Sequence, residues 1–421
     1  MSAILDKMRF APEKEALDSF MERFGLEPIL RHFEESGGLS SFRDAILGAH
    51  LKLSPTLSPR VFELLDDVTS ALGFTEPVDV FVAEDASINA VAVHALDGMP
   101  HMIVLTSSLL ERMDDAELRF VLGHELGHLH YDHYRARLIP HAVGEDEEKK
   151  SRMPSLLRRR LEIWNRLTEI SADRAGFAAT DGSLKPIVSA FFKLASGLGP
   201  EHLKFDIAAF LKQLEEIQNL AHREVICGFS HPVTPIRVRA LQLFAEAGGR
   251  NITPHTLAEL DRQVSDLVKL MDYAPRQPIE IHGRDCLVAG GLLVGHADQA
   301  GFSEEEANLL IEMLLPVCSD PEVALSQIET VEQATEMLQR SASWLKDNAG
   351  EERFVVYRYL VLIAAVDGAL HPGEEAFLME LARLLGIPQP VARKEIYQIL
   401  ATKLQAQQST NQRMPGTQLR T

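Results

Sequence analysis

The stretch VLGHELGHLHYDH, residues 121–133, gathers four histidines, a glutamate and an aspartate. Within it, HELGH is an H-E-x-x-H pattern. On a helix, positions i and i+4 share one face about a turn apart, so His124 and His128 can aim their imidazoles at one point. Zinc accepts neutral imidazole nitrogen at about 2.0–2.1 Å. Glu125 stands beside the first histidine, where its carboxylate reaches a water on the metal rather than the metal itself. That is the place of a general base. Gly127 is a poor helix former in an otherwise good helix, and a small residue there lets another backbone come close. Val121, Leu122, Leu126 and Leu129 bury the helix on both sides, and buried histidines need partners. The plainer alternative is a surface helix that happens to carry two histidines; the apolar flanks favour a metal site.

A catalytic zinc keeps three protein ligands and one water. A histidine six residues after His128, with a glycine three after it, would complete one known solution, but Tyr131 and Tyr134 occupy those places. His130 and His133 lie off the 124/128 face if the helix continues, and read as solvated polar positions at a helix end. EISADRAG, residues 169–176, offers more. Glu169 lies 41 residues after His128 on an expected helix, and Asp173 is one turn further on the same face. This predicts a division of labour: Glu169 binds zinc, and Asp173 accepts a hydrogen bond from a ligand histidine, fixing its tautomer. Ser171, Ala172, Ala175 and Gly176 are small enough to pack closely against the motif helix.

The elements that must position these groups are legible on either side. VDVFVA (78–83), INAVAVH (88–94) and HMIVLT (101–106) are short and β-branched, and read as strands of a small sheet. Two helices follow, one from near Ser107 and one from Asp114 or Asp115 past His128. A charged break, 144–160, precedes a long helix from about Leu156 to Ala179. Ser58 and Pro59 open an earlier helix. From about 279 onward the chain reads as helical. There HADQAGFSEEEANLLIEML (296–314) resembles AVDGALHPGEEAFLMELAR (365–383), placing Asp298 on Asp367 and Glu305 on Glu374, a duplicated helix–turn–helix unit.

The 421 residues carry 42 basic and 61 acidic side chains, a net charge of −19, which argues against nucleic-acid binding and for a soluble chain. Three widely spaced cysteines, Cys227, Cys286 and Cys318, make neither a disulfide framework nor a C-x-x-C metal site and suit a reducing, cytoplasmic setting. The first twenty residues lack the apolar core of a signal peptide. The longest apolar runs, 286–295 and 359–366, are about half a membrane span, so no transmembrane segment is expected.

INAVAV, HMIVLTSSLLERMDDAELRFVLGHELGHL, EISADRAG and SHPVTPIRVRAL, in that order, resemble the HtpX-type and CAAX-prenyl-protease-type zinc metallopeptidases over roughly residues 60–245. The resemblance implies zinc ligands His124, His128 and Glu169, Glu125 as catalytic base, and Asp173 as the aspartate behind a ligand. It further implies that His231 stabilises the oxyanion and that Arg237 is a structural or active-site partner, though Pro235 and Ile236 replace the acidic residue usual before that arginine. INAVAV resembles the strand near the cleft, where an extended peptide would pair along Asn89, Ala90, Val91 and Ala92. Well-known members are embedded in membranes, which this chain departs from. Residues 280–402 resemble the TerB-like helical domain. Its turns make Asp298, Asp367 and Glu374 candidate ligands for a weakly held cation, against the simpler reading of helix capping.

The expected organisation is α+β: an N-terminal helical segment (1–57), a mostly helical zincin-type (gluzincin) peptidase domain with a small sheet (58–250), a linker helix (251–279), an all-α TerB-like domain (280–402) and a disordered tail (403–421). The expected function is a soluble zinc metalloendopeptidase with one catalytic zinc ion. Its water would be activated by the metal, with Glu125 as base, on protein or peptide substrates. The rival is a latent or inactive zinc-binding scaffold or sensor acting through residues 280–402, which would bind a regulatory protein.

Overall fold

A computed structural model describes residues 2–36, 38–95, 99–142, 153, 155–204, 206–220, 231–271, 277–297, 303–318 and 321–413. Most of the charged 144–160 break, Cys227 and Asp298 lie outside the described residues. Contacts divide the chain into two compact units: Met1–Lys150 with Leu161–Met271, and Ser151–Arg160 with Asp272–Thr421.

The first unit is α+β. Its sheet has four strands: β1 (Leu51–Lys52), β2 (Val78–Ala83), β3 (Ala90–Val93) and β4 (His101–Thr106), in the order β1-β2-β4-β3. β2 and β4 run parallel, while β1 and β3 are antiparallel to their neighbours. The two-residue β1 is too short to signal itself in sequence. Val80, Phe81, Ile103 and Leu105 are fully buried in the middle strands. β3 is a sheet edge, and its Val91 is 46% exposed.

Thr106 ends β4 and caps the next helix, Ser107–Arg112, by accepting the Leu109 N–H at 3.3 Å. The motif helix, Asp115–His130, starts at a capping box. Asp114 accepts the Glu117 N–H at 2.9 Å, and Glu117 accepts the Asp114 N–H at 2.8 Å. These bonds satisfy two backbone donors that a helix start leaves open. From Glu117 to Leu129 every residue but Arg119 is buried. The helix therefore crosses the core, and packing on both sides fixes its rotation.

Its closest neighbour is the helix Ser155–Ala179. A Cβ on Gly127 would lie 2.7 Å from Ala175 Cβ and 3.2 Å from Ala172 Cα; one on Gly123 would lie 2.4 Å from Ala179 Cβ; one on Gly176 would lie 2.8 Å from the Phe120 carbonyl oxygen. Glycine and alanine on facing turns thus let two backbones approach to van der Waals contact.

Two segments expected to stand apart belong to this unit. In the N-terminal segment, Leu5, Met8 and Phe10 are buried in its core, and the Phe10 N–H donates to Ser171 Oγ at 3.1 Å. The expected linker helix, Pro254–Val268, buries Leu260, Val264 and Val268 in the same core. Its buried Asp261 pairs with Arg174 at 2.7 Å. The stripe of apolar residues at helical spacing makes it a core helix.

The second unit is helical. Pro278–Val294 and Glu352–Ala364 hold the two long apolar runs, and both are buried on most sides. Among the described residues no helix is long and apolar enough to cross a membrane. The last helix, Gln389–Arg413, carries order past residue 403, through the helix formers of KLQAQQ; 414–421 lie outside the described residues.

Candidate metal centre and cleft

The H-E-x-x-H spacing brings His124 Nε2 and His128 Nε2 to 3.0 Å of each other. Glu169, on the third turn before the end of the facing helix, brings Oε2 to 3.5 Å from His124 Nε2 and Oε1 to 3.5 Å from His128 Nε2. The three side chains are buried, and among the described residues they are the one set placed to hold a metal ion. Tetrahedral zinc with bonds of about 2.0–2.2 Å needs ligand atoms about 3.3–3.5 Å apart. The 3.0 Å between the two nitrogens, a carboxylate oxygen 3.5 Å from each of them and a His₂Glu donor set fit that ion.

Each ligand is held from behind. His124 Nδ1 faces Asp173 Oδ1 at 3.0 Å. Arg237 grips Asp173 with two bonds, 2.8 and 2.6 Å, and reaches Glu169 at 3.3 Å; its guanidinium lies over the Phe191 ring. Burial alone would lower the His124 pKa, but the two carboxylates outweigh it and hold the ring up at about 9. His128 goes the other way, held low by burial and by the Arg137 cation. Glu169 stays ionised despite its burial because Arg237, His124 and His231 face it. Arg137 also contacts Glu169 at 3.3 Å; it ends the short helix His133–Arg137 that follows the motif, and nothing in its local sequence marks it.

Glu125 is buried beside the three ligands. Burial raises its carboxyl above the ordinary range, and the His124 ring beside it tempers the rise. Asn89–Ala92, which include most of the exposed edge strand β3, lie on the same cleft as Glu125. These residues line a cleft of about 410 Å³ together with the three ligand side chains. Leu109, Phe120, Phe191 and Leu194 make its apolar wall, and His231 stands on the opposite rim. The His231 side chain is 58% exposed, with Nδ1 at 3.1 Å from Glu169. Thus His124, Glu125, His128, Glu169, Asp173, His231, Arg237 and the Asn89–Ala92 strand converge on one cleft.

Asp367 and Glu374 are elsewhere, in the second unit. Glu374 accepts the His371 N–H at 2.8 Å in a capping box, and Asp367 accepts the Ala369 N–H at 2.9 Å in a turn. In the first copy of the repeat the cap is Ser303 with Glu306, one place later than the alignment with Glu374 suggests. The two acids serve as backbone acceptors there.

His130 and His133 correct the sequence reading. The motif helix stops at His130, and Asp132 takes the left-handed conformation, φ 55°, before a new helix starts at His133. The extrapolated helix therefore fails two residues short of His133. That side chain is 0% exposed and turns back under the site, with Nδ1 at 2.8 Å from His128 Nδ1. His130 Nε2 pairs with Asp6 at 2.8 Å. Neither ring is a solvated bystander.

A small sheet, an H-E-x-x-H helix and a glutamate presented by a following helix form an α+β unit with a candidate three-residue metal site. Comparison with known proteins agrees. Residues 55–146 match Peptidase family M48, and residues 284–394 match Tellurite resistance protein TerB. The chain therefore carries a peptidase family M48 region followed by a TerB region. The first match includes His124, Glu125 and His128 and ends before Glu169. Over 207 residues the chain is 27% identical to the Plastoglobule-localized metallopeptidase 48, chloroplastic, of Arabidopsis thaliana, covering 46% of this chain and 59% of that protein. Over 82 residues it is 34% identical to a Protease HtpX homolog of Tropheryma whipplei, covering 19% of this chain and 28% of that protein. The chain thus matches less than two thirds of these relatives' lengths. No solved structure matches it.

Proposed function

We propose that the first unit is a zinc-dependent endopeptidase. The observation that carries this is the triangle of His124, His128 and Glu169 with Glu125 beside it, at the floor of a cleft edged by a free strand. Zinc, when bound, supplies a Lewis acid that polarises a carbonyl and makes water more acidic. The protein does the rest. Glu125 takes a proton from the attacking water and returns it to the leaving amine nitrogen; its raised pKa suits a group that must do both. His231 projects into the cleft and donates to the carbonyl oxygen as charge builds there. Asp173, clamped by Arg237, holds the His124 ring and its tautomer. The outer edge of β3 pairs with an extended substrate, and the apolar wall accepts one of its side chains.

The reading extends to the setting. Buried Cys286 and Cys318, which form no disulfide among the described residues, suit a reducing compartment, for which the cytoplasm is our proposal. The TerB region is proposed as a docking module for a protein partner.

The test is cleavage of casein by the purified chain with zinc, with and without a chelator. The expected result is chelator-sensitive cleavage, lost by a factor of about 10²–10⁴ in Glu125→Gln while zinc still binds. Full activity in zinc-loaded Glu125→Gln overturns the mechanism. Zinc binding with no cleavage by the wild type favours the scaffold.

A further inference from the structure

His124 and His128 are both ligand candidates, yet only His124 touches a carboxylate at its second nitrogen. His128 touches another histidine. Behind His133, Nε2 faces Glu13 Oε2 at 3.5 Å, and Glu13 is 0% exposed. Glu13 in turn accepts from Arg9 Nε at 2.7 Å and a second Arg9 nitrogen at 2.9 Å, from Trp164 Nε1 at 3.2 Å and from Ser171 Oγ at 3.2 Å. An uncompensated carboxylate sunk this deep would be costly, and these four bonds hold it there in its charged form.

The proton positions follow from the geometry. Two Nδ1 atoms at 2.8 Å can share only one hydrogen. If His128 gives Nε2 to a metal, its proton sits on Nδ1 and is donated to His133 Nδ1. His133 then carries its own proton on Nε2, a buried atom that makes no hydrogen bond among the described residues and has the Glu13 carboxylate 3.5 Å away as an acceptor. A carboxylate at the far end, kept charged by Arg9, is the acceptor that makes this order of protons the favoured one. We propose that His133 and Glu13 are positioning residues for the metal centre, a His128–His133–Glu13 relay that sets the tautomer and ring orientation of His128. The inference rests on the metal reading of the site. It gives the centre two matched supports: Arg237–Asp173 behind His124, and Arg9–Glu13–His133 behind His128.

The backbone supports the same role. Asp132 is, among the described residues, the one non-glycine residue at positive φ. Residues with a side chain seldom adopt that conformation, and here it ends the motif helix and lets the chain turn back so that His133 meets His128. The rings meet edge to face, with centroids 5.0 Å apart, and Trp164 closes the other side of His133 at 5.8 Å.

The test uses the full chain and zinc alone. Affinity is measured by competition with a chromophoric zinc chelator, the ligand field by the visible spectrum of the cobalt-substituted protein, and folding by melting of the chelated form. His133→Phe fills the space without an acceptor, and Glu13→Gln removes the charge with almost no change of shape. Both are expected to melt cooperatively, to bind zinc about 10–100-fold more weakly and to shift the cobalt spectrum. His133→Gln, which offers both an acceptor and a donor, should recover much of the lost affinity. Wild-type zinc binding with unchanged affinity in folded His133→Phe and Glu13→Gln overturns the relay alone. A wild-type chain that takes up no zinc overturns the site reading and the relay with it. Failure of both variants to fold, even with zinc, would make the pair scaffold and also overturn the proposal.

Discussion

Gly127→Ala asks whether the close approach of two helices holds the metal centre. The added Cβ would lie 2.7 Å from Ala175 Cβ and 3.2 Å from Ala172 Cα. Non-bonded carbons settle at about 3.5–4.0 Å, so the helices must part by roughly 1 Å at this point. Gly127 adjoins His128, and Ala172 lies one turn from Glu169, so the gap opens inside the ligand set. Metal sites tolerate errors of about 0.2 Å in ligand distance, and a misplacement of about 1 Å can cost about 10²-fold in rate. Two stability effects oppose each other. Alanine gains about 1 kcal/mol of helix propensity over glycine, whereas overpacking a core costs about 1–3 kcal/mol. The expected outcome is a net stability loss of no more than about 2 kcal/mol, with zinc affinity reduced by about 10-fold or more. Urea unfolding of the chelated protein measures the first, and chelator competition the second. Ala175→Gly added to the variant removes the 2.7 Å partner and should restore most of the affinity. A single variant that is stabilised by about 1 kcal/mol and binds zinc as the wild type does would show that the contact does not set the site, and the reasoning would fail.

Other outcomes follow from the same contacts. Burial would raise the Glu13 carboxyl, but bonds from Arg9 and the His133 ring 3.5 Å away lower it to about 2, with Trp164 and Ser171 also facing it. A depressed carboxylate stabilises the fold above its unfolded pKa, and that contribution fades as pH falls from about 4.5 toward 2; on the order of 3 kcal/mol is at stake. Urea titrations of the chelated protein between pH 6 and pH 3 should show this loss, and Glu13→Gln should flatten it; equal slopes would contradict the assignment. Asp173→Asn keeps the shape but weakens the acceptor for His124 and the clamp for Arg237, so zinc affinity should fall by about 10–100-fold, measured by the same competition; an unchanged value would remove Asp173 from the centre. Glu374→Ala should cost about 0.5–2 kcal/mol of stability through its capping box, equally with and without added calcium or magnesium. A cation-dependent difference in melting would revive the metal reading of that turn.

Much of the fold was legible because its signals are local. The strands at 78–83 and 101–106 alternate or concentrate β-branched residues, and the Asp114 cap with Glu117 three residues later marks where the motif helix begins. The helix 156–179 shows its length in its composition. What failed depends on tertiary contact. β1 exists only because Leu51 and Lys52 meet Val82 and Phe81. The helix Pro254–Val268 reads as a linker until Asp261 is seen buried against Arg174. A polar N-terminal segment gives no sign that Leu5, Met8 and Phe10 complete another region's core.

The site divides along the same line. His124, Glu125, His128, Glu169 and Asp173 were singled out by spacing on helices, where periodicity converts sequence distance into direction, and the fold brings them together. His133 was misread because that conversion holds only while the helix lasts, and a single residue at φ 55° ended it. Glu13 could not be found by any spacing rule, since it reaches the centre from a different helix and contacts no ligand directly. Its cues were conditional: a histidine buried next to a ligand must place both ring nitrogens, and the search for the second acceptor leads to Glu13. A metal centre in a buried cleft needs each imidazole proton assigned, and each assignment needs an acceptor and a counter-charge behind it. That demand explains why two arginine–carboxylate pairs, drawn from four separate elements, converge on two histidines only four residues apart.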